Sequence, residues 1–418
     1  MNVIFDATIT ANYFDKNASR SGIFFAAKNI LELFLADPQV QVLFYFSSKN
    51  IEHSIRVHEE LYPDVPCVQS FEKYNRLISS KRKLQSLHKK LYARSLARKI
   101  PALGILLLNF VLQKTFEKDC QRDLIKKTDC FFSPIYKIPK IIRNNKNIRP
   151  FVCLYDAIPI LFPNLSCASF AKDVCESTLT SDTIFYDSKN TQNDFERLFP
   201  YLKKNKKKVV YLAASGLFKE EHDKRRIRLV KEKYGIPHDK RYVFSLCSVA
   251  PHKNLVRNLR TFSSFIKKHK IDDLIWILGG GSLASFVDQL KQSGVDFDTI
   301  NTRYIGYVDD EDLPTLYSNA EWFVYTSQYE GFGLPPLEAM QCGCPVITSN
   351  NSSLPEVVGD AGIMIDWDSD EQHIEAYEKY YFNEKLRKEN SRKGLEHAKQ
   401  FSWEKAAKEM LDVMKRNL

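Results

Sequence analysis

Apolar residues fall along this chain in two patterns, short uninterrupted runs and longer stretches that repeat with helical spacing. The short runs predict buried strands, and the longer stretches predict helices that bury one face. Strands are expected at 2–9, 41–46, 67–71, 150–155, 183–187, 209–213, 242–247, 274–278, 304–308, 322–327, 344–349 and 362–366. Strands that alternate with helices are typical of an α/β fold built on parallel sheets.

The chain of 418 residues is long enough for two domains of ordinary size. A polar, lysine-rich run at 203–208 lies between two series of strands, so we place the domain boundary there. Residues 1–205 are expected to form an N-terminal domain and residues 206–401 a C-terminal domain.

The most informative stretch is 322–356, with the sequence WFVYTSQYEGFGLPPLEAMQCGCPVITSNNSSLPE. It predicts a strand, a loop, a short helix and a second strand. Gly331 and Gly333 let the loop turn tightly and bring backbone N–H groups close to a ligand. Pro335 and Pro336 suit the first turn of the helix. A glycine loop that leads into a helix N-terminus predicts an anion site.

Two carboxylates bracket this predicted site, Glu330 in the loop and Glu338 in the helix. A carboxylate there would repel a phosphate, so we interpret the pair as acceptors for hydroxyl groups. Glu338 would bind a ribose diol, as acidic residues do in dinucleotide folds, and Glu330 would hold the hydroxyls of a sugar. The alternative is that Glu338 favours the helix dipole and Glu330 is a solvated loop residue.

The spacing from Glu330 to Glu338, followed by Gly343, Pro345 and the segment LPEV at 354–357, resembles the signature of retaining family 4 glycosyltransferases. The members most alike are bacterial O-antigen and capsule enzymes, many of them mannosyltransferases. The resemblance implies a GT-B fold, in which two Rossmann-like domains face each other across a cleft. It also implies that the last helix, within residues 402–418, crosses back onto the first domain.

The same resemblance assigns donor-binding residues in the second domain. Lys253, on a loop that enters a helix, would neutralise a diphosphate as a point charge, with Asn254 beside it. Ser248 stands where the family often has a second cation. Gly280 is expected to line the cleft at a close-approach turn. The family places backbone contacts to the nucleobase near Tyr307 and Val308, and the remaining donor contacts are expected from Gly331, Phe332, Gly333 and Leu334.

In the first domain the assignments have alternatives. Gly22 matches a family glycine that contacts the donor phosphates or the acceptor, but it also fits a plain turn capped by Ser21. Asp156, at the end of a predicted strand, would orient the acceptor or simply cap its turn. Tyr155 stands where the family's mannosyltransferases often have histidine. Ser188 matches a family serine and is expected to be structural.

Residues 73–116 contain no acidic side chain, and basic residues accompany a leucine stripe through 81–99 before an apolar stretch at 100–112. Basic amphipathic helices lie on anionic membrane surfaces, so a membrane surface is a candidate partner for 81–112. The alternative is a core-packed helix with a solvated cationic face. Nucleic-acid binding is not expected, because no recognised module accompanies the charge.

Composition adds three expectations. The net charge of +10 favours anionic partners. The N-terminus lacks the pattern of a signal peptide and no apolar run is long enough to span a bilayer, so a cytoplasmic protein is expected, peripheral at most on the inner face of the membrane. Nine scattered cysteines are expected to be reduced thiols without bound zinc.

These observations predict a metal-independent, retaining glycosyltransferase in surface polysaccharide or O-antigen synthesis. It would move a hexose, with mannose from GDP-mannose as first choice, to a saccharide or lipid-linked acceptor. Glu330, Lys253 and Asp156 are the expected catalytic residues. The alternatives are a nucleotide-sugar epimerase, which would not need an acceptor, and a non-catalytic membrane-binding protein on a degenerate scaffold.

Overall fold

The computed structural model describes residues 1–15, 22–90, 99–116, 119–162, 168–179, 182–246, 248, 250–280 and 301–418. Within them, two six-stranded sheets are formed. The first sheet contains β1 (Asn2–Asp6), β2 (Gln41–Tyr45), β3 (Cys130–Ser133), β4 (Arg149–Leu154), β5 (Thr183–Tyr186) and β6 (Lys206–Val209). The second contains β7 (Arg241–Leu246), β8 (Leu274–Gly279), β9 (Thr302–Gly306), β10 (Trp322–Tyr325), β11 (Val346–Ser349) and β12 (Gly362–Ile365).

Every strand pair in both sheets is parallel within the described residues. The strand order is β2-β1-β3-β4-β5-β6 in the first sheet and β12-β11-β10-β7-β8-β9 in the second. Central strands such as β3 and β8 are buried along their whole length. Their largely apolar sequences are those of strands covered by helices on both faces.

The helices of the N-terminal half (residues 2–209) are α1 (Gly22–Ala36), α2 (Ile51–Leu61), α3 (Glu72–Lys90), α4 (Lys99–Phe116), α5 (Arg122–Lys126), α6 (Lys140–Arg143), α7 (Ile158–Leu161), α8 (Ala168–Ser177) and α9 (Lys189–Leu198). The C-terminal half (residues 210–401) contains α10 (Lys224–Lys233), α11 (Leu255–His269), α12 (Leu313–Ser318), α13 (Leu334–Gln341), α14 (Leu354–Val358), α15 (Asp370–Phe382) and α16 (Glu384–Ala398). The last helix is α17 (Trp403–Arg416).

Helix α17 returns to the N-terminal half and packs against α1. Its buried face consists of Trp403, Ala406, Ala407, Met410, Leu411, Val413 and Met414. At the edge of this contact, Lys208 and Glu409 form an ion pair at 2.9 Å.

Some strand predictions differ from the structure. The first strand ends at Asp6, and a 3-10 turn over Thr8–Tyr13 replaces the rest of the predicted run. Residues 67–71 contribute only isolated bridges, at Cys67 and Gln69. Strand β3 was not predicted.

The strand expected at 209–213 is also wrong, because β6 is Lys206–Val209 and lies inside the lysine-rich run. An edge strand leaves its side chains largely exposed, so charged residues suit it. Strand β6 pairs with β5, and the first sheet therefore extends past position 205. The division of the chain near that position remains a proposal.

The basic stretch forms two packed helices, α3 and α4, and residues 91–98 of the predicted 81–99 helix lie outside the described residues. A Cβ placed on Gly104 of α4 would lie 2.9 Å from Leu84 of α3. Within the part of the chain that is described, no helix is long and apolar enough to cross a membrane.

Candidate active site

A glycine loop, residues 329–333, connects the end of β10 to helix α13 in the C-terminal half. Gly333 has φ 113° and immediately precedes the helix. A Cβ at Gly333 would lie 2.9 Å from Leu354 Cδ2. Both the backbone angle and the lack of space require glycine there. The predicted helix with proline in its first turn is present, beginning at Leu334.

The glycine loop lies directly against the N-terminal half. A Cβ at Gly331 would lie 2.6 Å from the Tyr155 carbonyl oxygen and 2.6 Å from Asp156 Cβ. The Gly331 carbonyl accepts hydrogen bonds from Ser188 Oγ at 2.9 Å and Thr191 Oγ1 at 3.2 Å. The ends of β4 and β5 therefore reach the loop, and the site lies between the two sheets.

Lys253 and Glu330 form the main charged pair of this site. Lys253 Nζ donates to Glu330 Oε1 at 2.6 Å and to the Tyr325 hydroxyl at 2.8 Å. Burial alone would lower the pKa of Lys253, but the charge of Glu330 and these hydrogen bonds raise it above its ordinary value. Lys253 is thus a fixed cation, aligned by residues of β10 and of the glycine loop.

Asp156 follows β4 and is close to this pair. Its Oδ1 accepts a hydrogen bond from the Ile158 N–H at 2.9 Å. Asp156 therefore caps its own turn, which is one of the two roles that the sequence suggested for it. Burial raises the pKa of Asp156 to about 6, and the charge of Glu330 adds to the effect while Lys253 opposes it. A carboxyl with that pKa can change its protonation state near neutral pH.

Glu338 lies one turn into α13 and accepts a hydrogen bond from the Tyr317 hydroxyl at 3.0 Å. Burial raises the pKa of Glu338 to about 7, against the lowering effect of that hydrogen bond. Glu338 is therefore a hydrogen-bonded carboxyl with a raised pKa. Glu330, which is buried and ion-paired, is not the solvated loop residue of the alternative.

Other predicted residues also lie at this site. A Cβ at Gly22, the first residue of α1, would be 2.8 Å from Leu334 Cδ1, so the two predicted residues are neighbours. Residues 16–21, including the rest of the predicted glycine loop, lie outside the described residues. Phe332 is buried, with its ring 6.0 Å from that of Phe401.

Asn254 has a structural role that the sequence did not predict. It has a φ of 58°, and its Nδ2 donates to the carbonyl oxygens of Thr326 at 3.1 Å and Trp367 at 2.6 Å. These bonds hold the turn that carries Lys253. Both N–H groups of the side-chain amide are thus engaged, which leaves its Oδ1 as the atom able to contact a nucleotide sugar.

The remaining predicted residues lie at the ends of β7, β8 and β9. Gly280 has φ 87° and donates its N–H to the Gly306 carbonyl at 2.7 Å. Val308 is buried and Tyr307 is exposed, with 76% of its surface accessible. Ser248 is exposed, and its neighbours 247 and 249 lie outside the described residues.

Several contacts at the site could not be read from the sequence. Ser353 Oγ donates to the carbonyl oxygens of Glu330 at 3.1 Å and Phe332 at 2.7 Å. Ser352 Oγ accepts the Glu330 N–H at 3.1 Å. The His252 ring is buried 6.2 Å from the ring of Phe162 in the other half, and burial lowers its pKa. The only sequence signal for the two serines is their place just before the LPEV segment.

Among the described residues, no group of three or more His, Cys, Asp or Glu side chains is arranged to hold a metal ion. Six of the seven described cysteines are buried, and Cys120 is the one among them that is only partly buried.

Residues 226–397 match the family model described as glycosyl transferases group 1. This part of the chain, which holds Lys253, Glu330 and Glu338, is therefore a glycosyltransferase group 1 domain. The family resemblance drawn from the motif around Glu330 is confirmed.

Two curated relatives from Escherichia coli match part of this chain. The chain is 52% identical over 114 residues to O-antigen chain mannosyltransferase B. The aligned segment is 27% of this chain and 30% of that protein. It is 29% identical over 189 residues to the serotype-specific mannosyltransferase WbdA, covering 45% of this chain and 23% of that protein. The matches thus span less than a third of the length of either relative.

Solved structures resemble the whole fold. WaaG, a glycosyltransferase involved in lipopolysaccharide biosynthesis, superposes with a TM-score of 0.61 at 14% identity and covers 99% of each chain. HepE from Anabaena, solved in complex with UDP and glucose, gives a TM-score of 0.62 at 14% identity and covers 100% of each chain. The predicted fold class, GT-B with two Rossmann-like sheets and a returning C-terminal helix, is confirmed.

Proposed function

We propose that this protein is a glycosyltransferase that moves a hexosyl group from a nucleotide sugar to a saccharide or lipid-linked acceptor. The observation that carries the proposal is the buried Lys253–Glu330 pair at the glycine loop, within a group 1 domain. The names of the two Escherichia coli relatives support mannose as the sugar and O-antigen synthesis as the setting. GDP-mannose is accordingly our first choice of donor.

Lys253 would bind the donor diphosphate together with the N–H groups around Gly331 to Leu334. These groups would face the place where negative charge grows as the diphosphate leaves. Because Lys253 is already held by Glu330 and Tyr325, little reorganisation is needed when the donor arrives. Glu330 would then share the cation with the diphosphate and accept hydrogen bonds from sugar hydroxyls.

Glu338 would accept hydrogen bonds from the ribose diol of the nucleotide. A carboxylate accepts two such bonds, and the Tyr317 hydroxyl fixes its orientation from the protein side. The nucleobase would lie toward the ends of β8 and β9, near Gly280, Tyr307 and Val308, whose backbone groups would contact it.

The transfer itself would proceed with retention of configuration and without a metal. The bond from the anomeric carbon to the diphosphate oxygen breaks, and the acceptor oxygen bonds to the same face of that carbon. The leaving diphosphate takes the acceptor proton, so no side chain acts as nucleophile. Asp156, which is close to the glycine loop, would orient the acceptor hydroxyl.

The experiment that tests this function combines donor, acceptor and product analysis. The protein is incubated with GDP-mannose, UDP-glucose or a dTDP-sugar, with and without a mannose-terminated oligosaccharide acceptor. We expect GDP release from GDP-mannose that depends on the acceptor, and a new α-linked product seen by NMR. Conversion of the donor to an isomeric sugar nucleotide, without an acceptor and without nucleotide release, would instead identify an epimerase.

We further propose that helices α3 and α4 place the protein on an anionic membrane surface, where a lipid-linked acceptor would be found. Leu103, Leu106, Leu107 and Phe110 of α4 lie on one helical face and are 58% to 69% exposed. An apolar face of this size on a packed helix is not covered by the rest of the described chain. This exposure argues against the core-packed alternative for α4.

Charge accompanies this apolar face. Arg82, Lys83 and Lys89 on α3 and Lys114 on α4 are exposed. Apolar side chains entering the lipid boundary, flanked by cations at the headgroups, are the features of a peripheral membrane helix. Each cation near an anionic surface adds about 1 kcal/mol. The location proposed is therefore the inner face of the cell membrane.

Vesicle sedimentation tests this surface. Replacing Leu106 and Leu107 together by Gln should weaken binding to phosphatidylglycerol-containing vesicles at least about tenfold, because a fully buried leucine contributes about 1.5–3 kcal/mol. Phe382→Gln is the control, since Phe382 is 62% exposed in the other half. Equal binding of all three proteins would refute the proposed surface.

A further inference from the structure

The N-terminus of helix α9 is closed by a side chain from the other half of the molecule. The backbone N–H groups of Lys189 and Asn190 donate to Glu356 Oε2 at 2.9 Å and Oε1 at 2.8 Å. The Tyr211 hydroxyl donates to Glu356 Oε2 at 3.0 Å. Glu356 therefore bridges α14 of the C-terminal half and α9 of the N-terminal half.

This contact satisfies groups that a helix leaves without partners. The first N–H groups of any helix lack acceptors within the helix. In α9 the Thr191 N–H is bound by Ser188 Oγ at 3.0 Å, and Glu356 takes the two N–H groups before it. A carboxylate at the positive end of a helix forms charge-assisted hydrogen bonds, which are stronger than neutral ones.

The segment that carries Glu356 also holds the glycine loop. Ser352 and Ser353, just before α14, bind the backbone of Glu330 and Phe332. On the opposite side, Ser188 of the N-terminal half donates to the Gly331 carbonyl. The glycine loop, residues 352–356 and the start of α9 thus form a closed ring of hydrogen bonds.

We propose that Glu356 is a positioning residue. It couples the approach of the two halves to the placement of the glycine loop. It acts through the loop and contacts no reacting atom. Its effect on catalysis rests on the glycosyltransferase function proposed above, but its effect on the contact between the halves does not.

The test is Glu356→Gln, which keeps the shape but removes the charge and turns one acceptor oxygen into a donor group. Asp360→Asn is the matched control, because Asp360 lies just beyond α14 with its side chain 85% exposed. Hydrogen exchange of a peptide covering 186–195 measures the protection of the α9 amides. Small-angle X-ray scattering measures the radius of gyration, which increases when the halves separate. Both are measured without substrate.

For Glu356→Gln we expect faster exchange at the start of α9, a larger radius of gyration and a drop in kcat/KM of at least about tenfold, the change expected from losing one charge-assisted bond. Asp360→Asn should behave as the native protein. Native exchange, scattering and kinetics in Glu356→Gln would overturn the proposal.

A second variant covers the case in which Glu356→Gln does not fold. Tyr211→Phe removes one hydrogen bond to Glu356 and should give the same changes at smaller size, and unchanged exchange at α9 in this variant would also overturn the proposal. Failure of the enzymatic proposal gives a different result. No variant, nor the native protein, would then transfer a sugar, while the exchange and scattering differences would remain.

Discussion

The carboxyl ends of the two sheets contribute to the site in different ways. The second sheet supplies most of the ionisable groups, with Lys253, Glu330 and Glu338 all held by hydroxyls or by each other. The first sheet supplies Asp156 and uncharged contacts, in which Ser188 and Thr191 bind the Gly331 carbonyl. The buried ion pair therefore lies in the C-terminal half, whereas the N-terminal half contacts the glycine loop through hydroxyl groups.

The largest effect is expected from removing the cation. Lys253→Met should lower kcat/KM by about 100- to 1000-fold, the range for losing one group that stabilises transition-state charge. It should also lower Tm, because Glu330 is left buried without its ion-pair partner. Steady-state kinetics and calorimetry measure the two effects.

The double variant Lys253→Met with Glu330→Gln separates these effects. It should recover part of the lost stability, since no uncompensated charge remains, while activity stays low. Recovery of activity in the double variant would show that Lys253 acts only by neutralising Glu330.

Gly331→Ala tests whether close contact with the N-terminal half positions the glycine loop. The added methyl would lie 2.6 Å from the Tyr155 carbonyl oxygen, so the halves must separate. We expect kcat/KM to fall about 100-fold, as for a displacement of about 1 Å at a reacting centre. Gly216→Ala is the control, because a Cβ there meets no atom within 4 Å.

Glu338 gives a prediction about pH. Its pKa is raised to about 7, so it is protonated in an increasing fraction of molecules as the pH falls below that value. A protonated carboxyl accepts ribose hydroxyls less well, and donor affinity measured by calorimetry should weaken from pH 8 to pH 6. Glu338→Gln should bind the donor weakly at every pH, and a native-like pH dependence in this variant would contradict the assignment.

The contribution of Glu338 to the free energy of unfolding changes with pH in the direction opposite to that of an ion-paired carboxylate. The folded protein holds the Glu338 proton more tightly than the unfolded chain does, so this group favours folding at low pH. That contribution is lost as pH rises from about 4.3, the unfolded value, through about 7.

The smallest effect is expected at the first sheet's hydroxyls. Ser188→Ala removes an N-cap and a bond to Gly331, and should cost about 1 kcal/mol of stability and a few-fold in kcat/KM. Ser402→Ala removes only the cap of α17 and should match the stability loss without the kinetic one. Equal kinetics for the two variants would show that the Ser188–Gly331 bond does not position the loop.

The glycine loop and its two glutamates could be predicted because their pattern is local in sequence. Glu330, Gly331, Gly333 and Glu338 follow one another within a strand–loop–helix unit whose turn chemistry is specific. The bond from Ser188 to Gly331 joins residues 143 positions apart, and no spacing rule reports such a contact. The lysine-rich strand β6 was missed for a related reason, since its pairing partner rather than its own composition makes it a strand.

The return of helix α17 to α1 has a mechanical consequence. The polypeptide passes from one half to the other after β6 and passes back before Trp403. Two crossings define a line, and we expect rotation of the halves about that axis to be easier than sliding or twisting. Each separation of the halves should therefore retrace the same arc and open the same gap beside the glycine loop.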